Sequence, residues 1–116
     1  KKKLEIRDFG GSMRLGTYPC VVTNNTIAYE AYKKTKIEER HRHRYEVNPD
    51  YVARLETAGL VFSGKSPSGV LMEIAELART EHPFMLGVQF HPEFLARPLS
   101  PHPLFTEFIK ACLKEK

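Results

Sequence analysis

Tryptophan is absent from this 116-residue chain, and cysteine occurs only twice, at Cys20 and Cys112. Two cysteines cannot build a disulfide scaffold, and the lack of a CxxC pair leaves no structural zinc motif. No apolar run approaches the roughly 20 residues that span a bilayer, and charged residues replace the apolar core of a signal peptide. We therefore expect a reducing, cytoplasmic location and no membrane partner.

Negative charge is in the minority, because 18 lysines and arginines oppose 14 aspartates and glutamates for a net charge of +4. The basic excess lies mainly at residues 1–3 and 40–44. Basic clusters can bind phosphates, but glutamates flank the second cluster, and no aromatic residues alternate with it to form a base-stacking platform. We expect local ion pairing there and no nucleic-acid partner.

Both strands and helices are predicted, which indicates an α/β or α+β class. Residues 1–9 precede two glycines and are predicted to be a linker or a disordered start, leaving 10–116 as the folded region. β-forming and apolar residues predict strands at 13–23, 60–64, 70–77 and 84–90, and residues 42–47 are expected to be extended. Helical spacing predicts helices at 26–34 and 51–58 and a last helix from Pro103.

Several local features refine these elements. Pro19 indicates an edge or a bulge in the first strand, and Asp50 is expected to cap the second helix, which Gly59 ends. The run at 84–90 is nearly all apolar, which is typical of a strand covered on both faces. The last helix has an apolar stripe that should pack on the sheet, formed by Leu104, Phe105, Phe108, Ile109 and Cys112.

The segment GVQFHPEF at 87–94 carries the clearest chemistry. It places an imidazole directly after a predicted buried strand, where the sites of open α/β sheets are found. Pro92 biases His91 toward an extended conformation, in which residues two apart share a face. Glu93 would then hold one ring nitrogen of His91, leaving the other to act as a base for a nucleophile. A surface loop with an ordinary ion pair is the alternative interpretation.

The same segment resembles the His-Pro-Glu signature of class I glutamine amidotransferases, which use a Cys-His-Glu triad. Three further stretches resemble the CTP synthase branch of that family: GGSMRLG at 10–16, ERHRHRYEVN at 39–48 and FLARPLSP at 94–101. The resemblance implies an α/β, flavodoxin-like three-layer fold with a mixed sheet flanked by helices. It also implies that residues 10–116 form the C-terminal half of a glutaminase domain.

The resemblance further implies residue roles. His91 would be the catalytic base, Glu93 its orienting partner, and Arg44 a ligand of the glutamine substrate, with Tyr45 lining the same region. A salt bridge to Glu39 or Glu46 is the alternative for Arg44, and core packing is the alternative for Tyr45. His41 and His43 alternate with arginines, and no carboxylate or third histidine is suitably spaced for ligation, so we expect no metal site.

The family's nucleophilic cysteine, which stands in a glycine-rich elbow, has no counterpart in this sequence. Cys20 follows Pro19 without nearby glycines, and Cys112 lies on the apolar stripe, so both are expected to be small buried hydrophobes. There is also no GxxxxGK[ST] phosphate loop. The family's synthetase domain, which binds UTP, ATP and Mg²⁺ and receives ammonia, also has no counterpart in this sequence. Without the nucleophile and this domain, the chain alone is expected to be inactive and to hold no cofactor.

The resemblance implies three partners for this chain: glutamine, the remainder of the glutaminase domain and the synthetase domain. It also implies that the whole enzyme assembles as a homo-tetramer. A second hypothesis remains open. A chain with the His-Pro-Glu segment but no cysteine could be a non-enzymatic pseudo-glutaminase, a regulatory subunit or an assembly module, in which the basic run contacts partners.

Overall fold

The computed structural model of the protein describes residues 14–43 and 45–114. The strands are β1 Arg14–Val22, β2 Lys36–His43, β3 Leu60–Lys65, β4 Met72–Leu77 and β5 Leu86–Val88. The helices are α1 Ile27–Tyr32, α2 Pro49–Thr57 and α3 Pro103–Lys114, with a short 3₁₀ turn at Pro92–Phe94. The predicted linker at 1–9 lies outside the described residues. None of the described helices is long and apolar enough to cross a membrane.

The five strands form one sheet in the order β2-β1-β3-β4-β5. Each neighbouring pair is antiparallel, so any parallel strands of the predicted mixed sheet would have to come from outside the described residues. β1 pairs with β2 along eight positions but with β3 only at Val21 and Val22. The sheet therefore consists of two ribbons joined at one end. Pro19 lies where the described ladder gives β1 a single neighbour, as its missing N–H requires.

The core lies between these ribbons and two helices. Helix α1 begins at the cap Thr26 and is also held by Glu76 of β4, whose carboxylate accepts the N–H groups of Ile27 at 2.7 Å and Ala28 at 3.1 Å. This contact fixes the helix on the sheet, since both oxygens of the buried carboxylate are used. The principal core cluster comprises Cys20, Val22, Ala28, Ile37, Ile74, Phe90 and Leu104.

Strand β2 begins earlier than predicted, at Lys36 rather than Arg42. Its alternation is complete, because Ile37, Glu39 and His41 are buried while their neighbours are exposed. The pattern is hidden in the sequence because two of the three buried residues are polar. Their burial is possible only because each has partners inside the protein.

Helix α2 corrects one predicted cap. The N-cap is Asn48, whose Oδ1 accepts the Asp50 N–H at 3.0 Å, whereas Asp50 lies in the first turn. Pro49 occupies the first helical position, where a missing N–H costs nothing. The helix ends at Thr57, and Gly59 follows with a φ of +113°. The predicted stop at this glycine is therefore confirmed.

The strand predicted at 84–90 is much shorter than expected and is not covered on both faces. β5 comprises only Leu86–Val88, pairs with β4 at the edge of the sheet and exposes Gly87. The flanking aromatic residues pack outside the ladder instead. Phe84 lies 5.5 Å from the ring of Phe108 on α3, and Phe90 is inserted against His41.

The apolar stripe of α3 is mostly exposed, contrary to the prediction. Leu104 and Ala111 are the buried residues of this helix. The exposed apolar side chains are Phe105 at 43%, Phe108 at 48%, Ile109 at 54% and Leu113 at 64%. Cys112 is exposed too, so its predicted burial is wrong, whereas Cys20 is buried as expected.

Residues 89–91 cross from one ribbon to the other. The Gln89 N–H donates to Glu73 O of β4 at 3.0 Å, and the His91 N–H donates to Arg40 O of β2 at 2.9 Å. In a flat sheet these two carbonyls would point away from each other, on strands about 14 Å apart, or three strand spacings, whereas two residue steps of about 7 Å and two hydrogen bonds of about 3 Å reach at most about 13 Å. The sheet must therefore curl, and the crossing brings His91 to the outer edge of β2.

Candidate active site

His91 stands between β5 and the 3₁₀ turn. Its backbone is extended, with φ −110° and ψ 93°, and Pro92 begins the turn that follows. The Phe94 N–H donates to His91 O at 3.1 Å and closes this turn. The predicted proximity of His91 and Glu93 is therefore present, but its predicted cause is wrong, because Glu93 belongs to a 3₁₀ turn and not to an extended strand.

The side chains of His91 and Glu93 form one hydrogen bond, with 2.8 Å between Nδ1 and Oε2. An ionised carboxylate only accepts, so Nδ1 carries the proton and the Nε2 of a neutral ring has a lone pair. Among residues 14–43 and 45–114, no side chain or backbone group is hydrogen-bonded to that Nε2. The Nε2 atom of His91 can therefore accept a proton from a group outside the dyad.

Two further contacts define the setting of the dyad. The Phe94 ring stacks on the imidazole at 4.8 Å between centroids and 18° between planes, which fixes the orientation of the ring. The hydrogen bond from His91 lowers the pKa of Glu93, which keeps this carboxylate ionised. The two side chains are 38% and 56% exposed, so the dyad lies at the surface of the described residues.

An open groove of about 690 Å³ runs beside the dyad. Phe94, Arg40 and Arg42 line it together with Leu15 and Gly16. Gly16 has a φ of +100°, a backbone conformation that residues other than glycine rarely adopt. The groove therefore joins one end of the GGSMRLG stretch to the basic run and to the residue that stacks on His91.

The predicted substrate ligand Arg44 lies outside the described residues. Its neighbour Tyr45 is 78% exposed, so the alternative that Tyr45 is packed in the core is wrong. The Tyr45 carbonyl accepts a hydrogen bond from Nδ1 of His43 at 3.1 Å. Tyr45 thus presents its ring to solvent beside the basic run.

The two histidines of the basic run, His41 and His43, lie in contact with each other. His41 is 1% exposed and makes edge contacts with the Tyr18 and Phe90 rings, while its Nδ1 lies 2.8 Å from Nε2 of His43. Glu73 of β4 completes a group whose potential ligand atoms lie within 4.8 Å of one another. This corrects the sequence-based reason for expecting no metal, since a carboxylate is present. A cation would have to displace the hydrogen bond between the two histidines.

A second His–Glu pair was not predicted. His102 and Glu39 meet with 2.5 Å between Nε2 and Oε2, and both side chains are 2% exposed. The Tyr32 hydroxyl donates to the same carboxylate oxygen, and burial raises the pKa of Tyr32 well above its ordinary value. The partners are 63 positions apart, and His102 stands between two prolines, so sequence spacing offered no signal for this pair.

The comparisons with known proteins agree with the fold. A model of the family Glutamine amidotransferase class-I matches residues 2–111. The chain belongs to this family of class I glutamine amidotransferases, which confirms the predicted α/β fold class.

Within the family, CTP synthases are among the similar proteins. The chain is 54% identical over 118 residues to that of Oleidesulfovibrio alaskensis, covering 98% of this chain and 21% of the relative. It is 53% identical over 116 residues to that of Methanosphaera stadtmanae, covering 100% and 21%. The chain thus spans about a fifth of the length of the curated relatives it matches.

A solved structure is similar as well. It is described as Trypanosoma brucei CTPS, glutaminase domain with bound acivicin, and matches with a TM-score of 0.81 at 37% identity. The match covers 89% of this chain and 40% of that one. The described fold is thus shared with part of a glutaminase domain.

Proposed function

We propose that residues 10–116 are the C-terminal half of the glutaminase domain of a CTP synthase, and that His91 and Glu93 are two members of its Cys-His-Glu triad. The observation that supports this most directly is the 2.8 Å contact between His91 Nδ1 and Glu93 Oε2, which leaves Nε2 open. It occurs in a chain that is 54% identical to a CTP synthase over 98% of its length. The cysteine and the oxyanion donors would come from sequence outside this chain.

In this reaction His91 moves protons at Nε2. It takes the thiol proton as the cysteine sulfur attacks the side-chain amide carbon of glutamine. The imidazolium then protonates the departing nitrogen as the C–N bond breaks, which releases ammonia. Nε2 next takes a proton from the water that splits the thioester and returns it to the sulfur. Glu93 stabilises each imidazolium through the Nδ1 hydrogen bond.

The remaining parts of the proposal concern the substrate and the whole protein. Arg44 would bind glutamine, and the exposed Tyr45 ring would line the same pocket. The ammonia would serve a synthetase domain that makes CTP from UTP and ATP with Mg²⁺, in a cytoplasmic homo-tetramer. The isolated chain is expected to release no ammonia from glutamine, because it has no nucleophile in a suitable elbow.

The test replaces His91 in the full-length protein that carries this chain. We expect His91→Ala to lower glutamine-dependent turnover by about 10²- to 10⁴-fold, since a general base contributes that much. CTP synthesis from added ammonia should be unchanged, because the synthetase reaction does not use His91. Both rates can be measured on the same preparation.

His82→Ala is the matched control, since His82 is an exposed histidine in a turn outside the dyad, where its Nδ1 accepts the Phe84 N–H at 3.1 Å. It should leave both rates unchanged. Wild-type glutamine-dependent turnover in His91→Ala, at normal protein levels, would refute the proposed function.

An assembly module without enzymatic activity is the second candidate. The exposed apolar side chains of α3, Phe105, Phe108, Ile109 and Leu113, favour it, since such patches mark interaction surfaces. Under this candidate Phe108→Ser would abolish assembly, measured by sedimentation, while His91→Ala would leave glutamine-dependent turnover intact.

A further inference from the structure

The buried pair of Glu39 and His102 joins strand β2 to the first turn of α3. The Leu104 N–H donates to Nδ1 of His102 at 3.1 Å, so this nitrogen has the lone pair and Nε2 carries the proton. Nε2 therefore donates to the Glu39 carboxylate at 2.5 Å. Both ring nitrogens are used, and the pair ties the inner face of β2 to the N-terminus of a helix.

Stability alone does not explain a buried carboxylate that is paired with a neutral histidine. Apolar residues of similar volume often replace such pairs without loss, and their best-attested use is to fix the register of packed elements. Glu39 Oε1 has no partner among the described residues, which adds to the cost of burying this carboxylate. The Glu39–His102 pair is therefore better explained by the element whose position it fixes.

That element is β2, which also accepts a hydrogen bond from the backbone of His91. Glu39 immediately precedes Arg40, whose carbonyl accepts the His91 N–H at 2.9 Å. The next residue, His41, packs against Phe90 at 5.8 Å between ring centroids. A slide of β2 by one residue is about 3.3 Å, which would remove the Arg40 carbonyl from hydrogen-bonding reach of His91.

We infer that Glu39 and His102 are positioning residues for the catalytic base, because their buried bond fixes strand β2, on which the backbone of His91 is held. This inference rests on the proposed function of His91. Neither residue touches the reacting atoms, so their effect is on the placement of Nε2. A misplacement of about 1 Å far from the chemistry can lower a rate by roughly 10²-fold.

Two substitutions at one position separate positioning from folding, in the full-length protein that carries this chain. Glu39→Leu removes the bond without leaving a charge buried, whereas Glu39→Gln keeps an oxygen that accepts from Tyr32 and His102. We expect Glu39→Leu to lower kcat for glutamine hydrolysis by about 10- to 100-fold, with KM for glutamine within about twofold. Glu39→Gln should stay within about threefold, and ammonia-dependent synthesis should be unchanged in both.

His102→Asn provides a second route to the same break. Asparagine is a good N-cap, so α3 keeps its cap while the bond to Glu39 is lost, and the kcat loss should match that of Glu39→Leu. Glu107→Gln is the control, because it removes the charge from a different ion pair, the one with Arg79 at 3.3 Å, and should leave kcat unchanged.

Two results would overturn the inference. The first is a folded Glu39→Leu protein with wild-type kcat for glutamine. The second is an equal loss of glutamine-dependent and ammonia-dependent rates, which would indicate general destabilisation. Failure of the proposed function is distinguishable, because it requires glutamine-dependent activity in His91→Ala.

Discussion

The molecule contains two pairs of histidine and glutamate that differ in exposure. The His91–Glu93 pair lies at the surface, with side chains 38% and 56% exposed and 2.8 Å between Nδ1 and Oε2. The His102–Glu39 pair is 2% exposed on both sides, with 2.5 Å between Nε2 and Oε2. In each pair the carboxylate selects one tautomer of the ring.

The difference lies in the second nitrogen of each ring. In His102 it accepts the Leu104 N–H, so the ring has no site left for a substrate. In His91 the second nitrogen has no hydrogen-bond partner within the described part of the chain. The same two residue types thus form a structural contact where they are buried, at Glu39 and His102, and an open base where they are exposed, at His91 and Glu93.

The largest expected effect comes from breaking the buried pair. Glu39→Ala should lower the free energy of unfolding by about 3–5 kcal/mol, because it leaves two buried donors, the Tyr32 hydroxyl and the His102 Nε2–H, without an acceptor at about 1–3 kcal/mol each. Urea denaturation of the full-length protein, followed at the domain that contains this chain, measures this. A loss below about 1 kcal/mol would show that the buried pair contributes no more than an exposed one.

The next effect concerns the exposed pair. Glu93→Gln should lower glutamine-dependent kcat by about 10- to 100-fold, because an amide can donate to Nδ1 and stabilise the wrong tautomer. The free energy of unfolding should be unchanged, since exposed pairs contribute little. Steady-state kinetics and urea denaturation give the two values. A marked loss of stability without a loss of rate would reverse the roles assigned to the two pairs.

Another buried carboxylate sharpens the contrast. Glu76 uses both oxygens on N–H groups of α1, whereas Glu39 leaves Oε1 without a partner in the described ranges. Glu76→Gln retains one acceptor and should cost about 1–2 kcal/mol of unfolding free energy. Hydrogen exchange of the α1 amides should rise in this variant. Unchanged exchange would mean that Thr26 alone is sufficient to hold the helix.

The smallest effect is a pH dependence of the exposed pair. The hydrogen bond from His91 lowers the pKa of Glu93, so the bond adds stability above the unfolded pKa of about 4.3. This contribution is lost as the pH falls through the lower folded value. In His91→Ala the pKa of Glu93 should rise, which carboxyl NMR titration can follow. An equal pKa in the two proteins would show that the bond is absent in solution.

Much of the fold could be predicted from local patterns. The hairpin of β3 and β4, helix α1 and the start of α3 follow from turn residues and periodicity, because each depends on neighbours close in sequence. β2 was missed at its start because its inward positions at Glu39 and His41 are polar. Their burial depends on partners that are distant in the chain, such as His102.

The candidate site divides in the same way. His91 and Glu93 are two positions apart in sequence, so their contact could be predicted, although Pro92 produces it through a 3₁₀ turn instead of an extended strand. The tie through His102 required knowledge of how α3 docks on β2. The apolar face of α3 was predicted to be covered by the sheet, but only Leu104 and Ala111 face inward.

The crossing of residues 89–91 also has a consequence for self-association. β2 is an edge strand of the sheet, and an open edge can pair with the edge of another molecule. The His91 N–H occupies the Arg40 carbonyl on this edge, so the loop that carries the candidate base also blocks strand addition there. A chain deleted for residues 89–94 should therefore lose a safeguard against aggregation as well as a catalytic group.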